Sequence, residues 1–358
     1  MVISTRCMLT FSGVCCQITI RHICRVAAQH QSGKNGQNER RAQKMKHTQK
    51  KEAKAEIVKL FAPPKMERHN RKGVSVDRKA RRQHHITMIE KPLVPKEGWY
   101  VLHLFYRVEH GQWELLSPEE KIRAKTDLSE LVQEARSMAE TQLLTFSMIS
   151  PKADLGFMLL TNDLVVANAL EKKINLSLGE EILTPVFSYL SMTERSEYTM
   201  SEEEYGATVT ADKGYLPQSE EYAAALIEFN QRMAKYTKDR LNPTLPDWPV
   251  FCFYPMNKRR DATNNWYALD FATRKKLMAG HAAVGRTYAG RVRQLITGST
   301  GLDEAEWGVT LFAHDLYEIK AIVYEMRFDE VSAKYADFGD FFIGLQMPLN
   351  ELFHQVRL

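Results

Sequence analysis

Cysteine is scarce in this chain: five in 358 residues, with Cys7, Cys15, Cys16 and Cys24 all near the start. That excludes a disulfide-dense secreted scaffold. A zinc site built from the early cysteines and His22 would need two well-spaced ligand pairs, whereas Cys15 and Cys16 are adjacent and no second pair follows. Long apolar runs are also missing, and nothing approaches the roughly 20 residues of a membrane span. The stretch Met8–Ile20 resembles the apolar part of an export signal. Ser12, Gly13 and Gln17 dilute it, and Arg21 and Arg25 stand where small residues should mark cleavage. The expectation is a cytoplasmic protein. Gly-x-x-x-x-Gly-Lys-Ser/Thr, Gly-x-Gly-x-x-Gly and Gly-x-Ser-x-Gly are all absent, which removes phosphate-loop, dinucleotide-binding and hydrolase-elbow readings.

Excess positive charge is confined to one end. Residues 1–90 hold 20 Lys and Arg against 6 Asp and Glu, while the rest holds 29 against 38. A net-acidic body repels phosphates, so nucleic acid is not the expected partner. Residues 31–60 are too polar to offset their ordering entropy by burial. The basic run Arg68–Arg82 reads as a solvated arm, with an anionic-surface tether as the alternative. Met66 is a candidate start, which would make residues 1–65 an upstream extension dispensable for function. Residues 1–94 are therefore expected to be a disordered basic tail.

What is there, beyond the tail, is a pattern stated twice. Trp99–Val108, rich in β-branched and aromatic residues, predicts a strand. Ser117-Pro-Glu-Glu120 predicts a helix start, with an N-cap, Pro at the first turn and carboxylates at the positive end. Strands near Leu143–Ser150 and Gly156–Thr161, a helix near Leu164–Lys173 and a strand near Pro185–Leu190 complete β-α-β-β-α-β. The second copy runs through Pro249–Pro255, helix Asp270–Tyr288, strands Val292–Ile296 and Glu306–Ala313, helix Leu316–Tyr335 and strand Phe338–Leu345. This predicts an α+β fold of two ferredoxin-like halves, 95–215 and 216–358, whose sheets pack face to face as a barrel-like dimer within one chain. Thr193–Glu220, polar and acidic, reads as a loop or lid. A helix near Glu221–Lys238 follows it.

The second half carries the unusual residues. Phe251–Arg260 takes a strand into a basic cluster, and Pro255, unable to donate to a ladder, is expected to end or bulge it beside Tyr254. Tyr254 is either a core residue or a group at a cavity mouth. Lys258, Arg259 and Arg260 are either solvated surface or an anion clamp. Leu277, His281, Val284, Gly285 and Tyr288 share one helical face. A histidine there is either a core residue or an iron ligand, and the small neighbours Gly280 and Ala282 would let a flat cofactor approach.

The segments Cys252–Arg260, Asn265-Trp-Tyr267, His281 with Gly285–Gly290, Glu306–His314 and Tyr324–Ala333 resemble the chlorite dismutase-like family, and more narrowly its coproheme decarboxylase branch. The resemblance spans roughly residues 95–350. It implies two ferredoxin-like halves, a ring of five subunits and a haem site in the second half. It implies His281 as the iron ligand, Tyr254 as the radical-forming tyrosine and Lys258 beside the other reactive propionate. Arg240 and Ser332 fall at propionate-binding positions, and Met256, Trp266 and Trp307 at positions against the macrocycle. Gln294 falls where the branch carries a distal glutamine and true chlorite dismutases an arginine. Asn257 departs from the branch, which more often has Ser, and the long tail departs from the family. The implied activity is peroxide-dependent conversion of Fe-coproporphyrin III (coproheme) to haem b, with hydrogen peroxide as oxidant and a transient contact with a coproporphyrin ferrochelatase. The alternatives are a haem peroxidase or chlorite dismutase-type enzyme and a haem-binding protein without turnover.

Overall fold

The strands and helices of the computed structural model, which describes residues 91–358, follow from the alternation and capping of the sequence. Of the basic tail expected over 1–94, residues 1–90 lie outside the described residues; in the remainder the Leu93 amide donates to Asp163 Oδ1 at 3.0 Å. The first half runs β1 (Tyr100–Val108), α1 (His110–Trp113), α2 (Pro118–Ser137), β2 (Thr141–Met148), β3 (Leu155–Thr161), α3 (Leu164–Ser177) and β4 (Leu183–Met192). Helix α2 starts as its sequence requires. Ser117 Oγ accepts from the Glu120 amide at 3.2 Å, and the Glu120 carboxylate accepts from the Ser117 amide at 2.9 Å. Two helices follow β4: α4 (Glu202–Lys213) and α5 (Glu220–Leu241). The second half runs β5 (Val250–Lys258), a 3₁₀ turn (Trp266–Ala268), then α6 (Phe271–Thr287), β6 (Val292–Gly298), β7 (Trp307–Ala313), α7 (Leu316–Met326), α8 (Glu330–Tyr335), β8 (Ala336–Phe338), β9 (Phe342–Gln346) and α9 (Leu349–Gln355).

The nine strands of the described residues form one antiparallel sheet in the order β7-β6-β4-β1-β3-β2-β9-β5-β8, and β7 also pairs with β5. The two repeats are thus not separate sheets laid face to face. They join edge to edge, through Met192↔Gly298 on one side and Phe146↔Gln346 to Met148↔Gly344 on the other. With β7 paired to β5 the sheet closes into a barrel, β4 and β6 meeting at one residue pair. Its interior is aromatic: Phe105, Phe146, Phe251, Phe253, Phe312 and Tyr189 pack with Val101 and Leu160. Outside, α2, α3 and α9 cover the first half with Leu128, Ala167, Ile174 and Leu352. Ile319 and Ile322 of α7 cover the second half, against Cys252, Val309 and Leu311. At about 25 cal/mol per Å² of apolar surface, these side chains dominate the driving force for folding.

Three local expectations need correction. Thr193–Glu220 is not all loop: Ser201 opens α4 with a full capping box to Glu204. Leu316–Tyr335 is two helices, because Asp329 accepts from the Val331 and Ser332 amides and starts a new one. Strand β5 does not end at Pro255. It pairs with β9 up to Phe253 and with β8 from Met256, so Pro255 falls where one neighbour has stopped and the next has not begun. There the Pro255 carbonyl accepts from the Gly339 amide at 2.8 Å.

Candidate haem site

Strand alternation sorts β5. Phe251 and Phe253 enter the barrel, whereas Cys252, Tyr254 and Met256 pack on the helix-covered side. Lys258 continues that second series. Tyr254 is 5% exposed, stacked on Phe341 with ring centroids 4.4 Å apart and close to Phe338 at 5.9 Å. Burial raises its phenol well above the ordinary range, with the charge of Arg327 opposing that rise. Cys252, pushed up to about 12 by burial, is no nucleophile.

Lys258 sits with Nζ 4.6 Å from the centroid of Trp266. Burial outweighs the charges of Asp329 and Glu306 and depresses its ammonium to about 8. Glu306 ties this corner together. It accepts from the Lys258 amide at 2.9 Å and pairs with Arg260 at 3.2 Å. Its own amide donates to Asn257 Oδ1 at 2.8 Å, which gives the departing residue Asn257 a definite task.

The helix wall is α6. None of its residues is buried, so the face of Leu277, His281, Val284 and Gly285 is partly covered rather than core. His281 Nδ1 lies 2.9 Å from Asp329 Oδ2. Burial alone would raise the Asp329 carboxyl, but hydrogen bonding and charge from His281, with bonds from Ser332, outweigh it and hold the group below the usual carboxylate range. An ionised Asp329 fixes the proton on Nδ1 and leaves the Nε2 lone pair for a metal, the arrangement expected of an orienting partner for a ligating imidazole. Ser332 Oγ donates to the same Asp329 oxygen at 2.8 Å.

On β6, Leu295 enters the barrel and Val292 and Ile296 face the helices, which puts Gln294 on the helix side. A β-carbon at Gly285 would lie 3.2 Å from Gln294 Nε2 and 3.2 Å from Met326 Cε, so the lack of a side chain at Gly285 admits both. Trp307 stands opposite Met256 across the β5–β7 ladder. Burial raises the Glu194 carboxyl, while Arg240 and a hydrogen bond from Trp307 pull it back.

The structure brings Tyr254, Met256, Lys258, Trp266, His281 and Ser332 into one neighbourhood through Asp329, Phe338 and Phe341. Arg240 is separate. It lines a cavity of about 200 Å³ with Gln294, while Ser332 lines one of about 400 Å³ with Arg259, Arg327 and Phe341. Sequence reasoning passed over Asp329, Glu306 and Arg327. An Asp before Glu-Val-Ser is a recognisable N-cap, but the reading of one unbroken helix hid it. The donor set suits an iron porphyrin with acidic side groups: one imidazole with an ordered tautomer, flanking Gly280 and Ala282, and cations beside a buried phenol. Among the described residues there is no cluster of three or more His, Cys, Asp or Glu to hold a metal ion alone, and no helix is long and apolar enough to cross a membrane.

Comparison with known proteins gives the same direction. A haem-binding protein from Thermus thermophilus is 34% identical, with a TM-score of 0.61 over 75% of this chain and 98% of that one. The chlorite dismutase of Candidatus Nitrospira defluvii in complex with imidazole is 18% identical, with a TM-score of 0.55 over 74% and 97%. A variant of that enzyme is 20% identical, with a TM-score of 0.56 over 75% and 99%. At such identities these two speak for the fold alone. Residues 121–347 match the family described as Chlorite dismutase. With nearly two thirds of its length matched, and a relative one third identical, the chain belongs to the chlorite dismutase family.

Proposed function

We propose that the protein is a coproheme decarboxylase, converting two propionates of coproheme to vinyl groups at the expense of hydrogen peroxide and releasing haem b. Each round consumes one propionic acid group and one peroxide and yields one vinyl, one carbon dioxide and two waters. The observation that carries this reading is the placement of Tyr254 and Lys258 at alternating positions on one face of β5, with Asp329 bonded to His281 and its charge felt by Lys258.

Bound coproheme would supply the iron that activates peroxide and the carboxylates that are lost. The chain does the rest. His281 offers Nε2 to the iron, with Asp329 holding the proton on Nδ1. Tyr254, in a dry aromatic setting, keeps its phenolic proton in the resting protein and is the group to give up that proton together with one electron, then to take a hydrogen atom from the propionate β-carbon. Lys258 attracts a second propionate. Gln294 supplies a neutral amide where an arginine would hold chlorite. The reading carries with it a ring of five subunits, a division into halves at 95–215 and 216–358, and a cytoplasmic setting with a ferrochelatase as donor.

The resemblance to a haem-binding protein favours a second reading, a carrier without turnover. Purified protein loaded with coproheme and titrated with peroxide separates the two. Two successive mass losses ending at haem b are expected. Intact coproheme, or oxygen release from chlorite, would sink the decarboxylase reading.

A further inference from the structure

The ladder between β5 and β7 ends with Met256 opposite Trp307. One residue further on, side chains take over from the backbone. The Glu306 amide donates to Asn257 Oδ1 at 2.8 Å, and the Lys258 amide donates to Glu306 Oε2 at 2.9 Å. A reciprocal pair of bonds thus buckles the two strands together where β5 ends at Lys258. Glu306 is 6% exposed, so its carboxylate is a buried charge that needs partners. Its other oxygen pairs with Arg260 at 3.2 Å, and Arg260 stands opposite Asn265 in an isolated antiparallel pair just before Trp266. The Trp266 amide donates to the Arg259 carbonyl at 2.9 Å and closes the same turn. Trp266 then lies beneath Lys258, with Nζ 4.6 Å from its ring centroid. One buried carboxylate therefore fixes the lysine at both ends: its backbone directly, and the aromatic seat of its ammonium through Arg260.

From this geometry we propose that Glu306, locked in place by Asn257, is a positioning residue of the haem site, holding Lys258 toward the carboxylate that it attracts. The inference rests on the decarboxylase reading for the identity of that carboxylate. Two charged groups face Lys258 from other elements: Glu306 from the approach to β7 and Asp329 from the cap of α8. Asp329 is already bonded to His281 and Ser332, and Asp337 answers Arg259. Glu306 is the one bonded to Lys258 itself. Without it, a lysine on a flexible four-carbon stem loses its anchor and one of the two negative charges that oppose its desolvation.

A residue that acts through Lys258 must lose its effect when Lys258 is gone, and that is the test. Glu306→Gln, Asn257→Ala, Lys258→Met and the double variant Glu306→Gln/Lys258→Met are compared with wild type after a thermal melt. The first readout needs no ligand. Trace acetylation of Lys258 as a function of pH, quantified by peptide mass spectrometry, reports its proton affinity, with a wild-type midpoint of about 8. Glu306→Gln should lower that affinity about tenfold, the smaller end of the effect of one nearby opposite charge. Asn257→Ala leaves the charge present but frees it. It should lower the affinity about threefold, and it decides the question if Glu306→Gln does not fold. The second readout is coproheme titration followed by absorbance. Glu306→Gln should weaken binding about tenfold with Lys258 present, and by less than about twofold in the Lys258→Met background. Glu228→Gln, which removes an equal charge from the exposed ion pair with Arg232, should change neither readout. An unmoved Lys258 midpoint in both variants, or equal losses of binding in the two backgrounds, would overturn the inference. Failure of the wild type to yield haem b with peroxide would defeat the decarboxylase reading, while the acetylation midpoint still decides whether Glu306 governs Lys258.

Discussion

Asp329→Asn gives a sharp test of how the site is organised. Asp329 does two jobs. One oxygen caps α8 through the Val331 and Ser332 amides at 2.9 and 3.3 Å; the other accepts from His281 Nδ1 at 2.9 Å and Ser332 Oγ at 2.8 Å. Asn caps helices about as well as Asp, so the first job survives and the fold should too. The second does not. The amide nitrogen that replaces one oxygen donates, so it meets an imidazole N–H with another donor. His281 relieves the clash by moving its proton to Nε2, the nitrogen whose lone pair an iron needs. Loss of such an orienting partner typically costs 10- to 100-fold in metal affinity, about 1.4–2.8 kcal/mol. Asp329→Ser keeps a cap but has no amide to impose the wrong tautomer, and should lose less. The assay is coproheme titration with the ferrous iron–histidine stretch recorded by resonance Raman, alongside a thermal melt. If Asp329→Asn melts like wild type and binds coproheme equally well with an unchanged stretch, His281 is not ordered by Asp329 and the proposed ligand assignment loses its main structural support.

Other perturbations should behave as follows. Tyr254→Phe keeps the stack on Phe341 and loses no hydrogen bond to any described residue, so coproheme affinity should stay within about tenfold; chromatography of the porphyrins should show no haem b after peroxide, and product at the wild-type rate would return Tyr254 to the core. Lys258 is cationic below about 8 and neutral above it, so coproheme affinity should fall as pH rises through that value, and Lys258→Met should flatten the dependence in a titration series from pH 6.5 to 9.5. His103, fully buried with Nε2 2.9 Å from Thr310 Oγ1, is depressed by burial to about 3. The unfolded chain binds a proton near 6.5 that the barrel refuses, so stability should fall as pH drops from about 6.5 toward 3, by up to about 1.4 kcal/mol per unit. His103→Phe should remove that limb from the urea midpoint plotted against pH.

The ferredoxin-like order was legible because each element announces itself by local chemistry. Ser117-Pro-Glu-Glu120 has one reasonable reading, and the alternation Phe251, Phe253 against Cys252, Tyr254 survives intact in the barrel. A barrel-like pairing of the halves was legible, but the edges that close it were not. Whether two sheets stack or join depends on backbone edges such as Met192↔Gly298, which carry no side-chain signature. Helix α4 was missed for a different reason. Its capping box is as clear as that of Ser117, but only Gly206 and Val209 are buried, so apolar periodicity never signals it. Pro255 misled because a proline inside a strand is normally excluded, and only the handover from β9 to β8 makes room for one.

Charge shows most clearly why composition stops short of the site. On the decarboxylase reading, a body with an excess of acidic residues must still attract a porphyrin bearing four carboxylates, and the sequence offers Arg240, Lys258, Arg259 and Arg260 as the obvious clamp. Folding withdraws two of them, since Asp337 and Glu306 neutralise Arg259 and Arg260. It moderates a third, because Arg240 Nε donates to the backbone carbonyl of Glu194 at 3.3 Å and its charge compensates the Glu194 carboxylate. What remains is Lys258, whose charge burial makes costly, and Arg327, whose charge an aromatic ring supports without neutralising it. A cation that is expensive to keep charged gains most from an arriving carboxylate, since the ligand replaces solvation that the fold has already removed. Affinity for acidic groups in this protein is therefore a matter of which cations the acidic residues leave unanswered. That selection is made in three dimensions by β5, α8 and the turn between α7 and α8, and no count of Lys and Arg along the chain contains it.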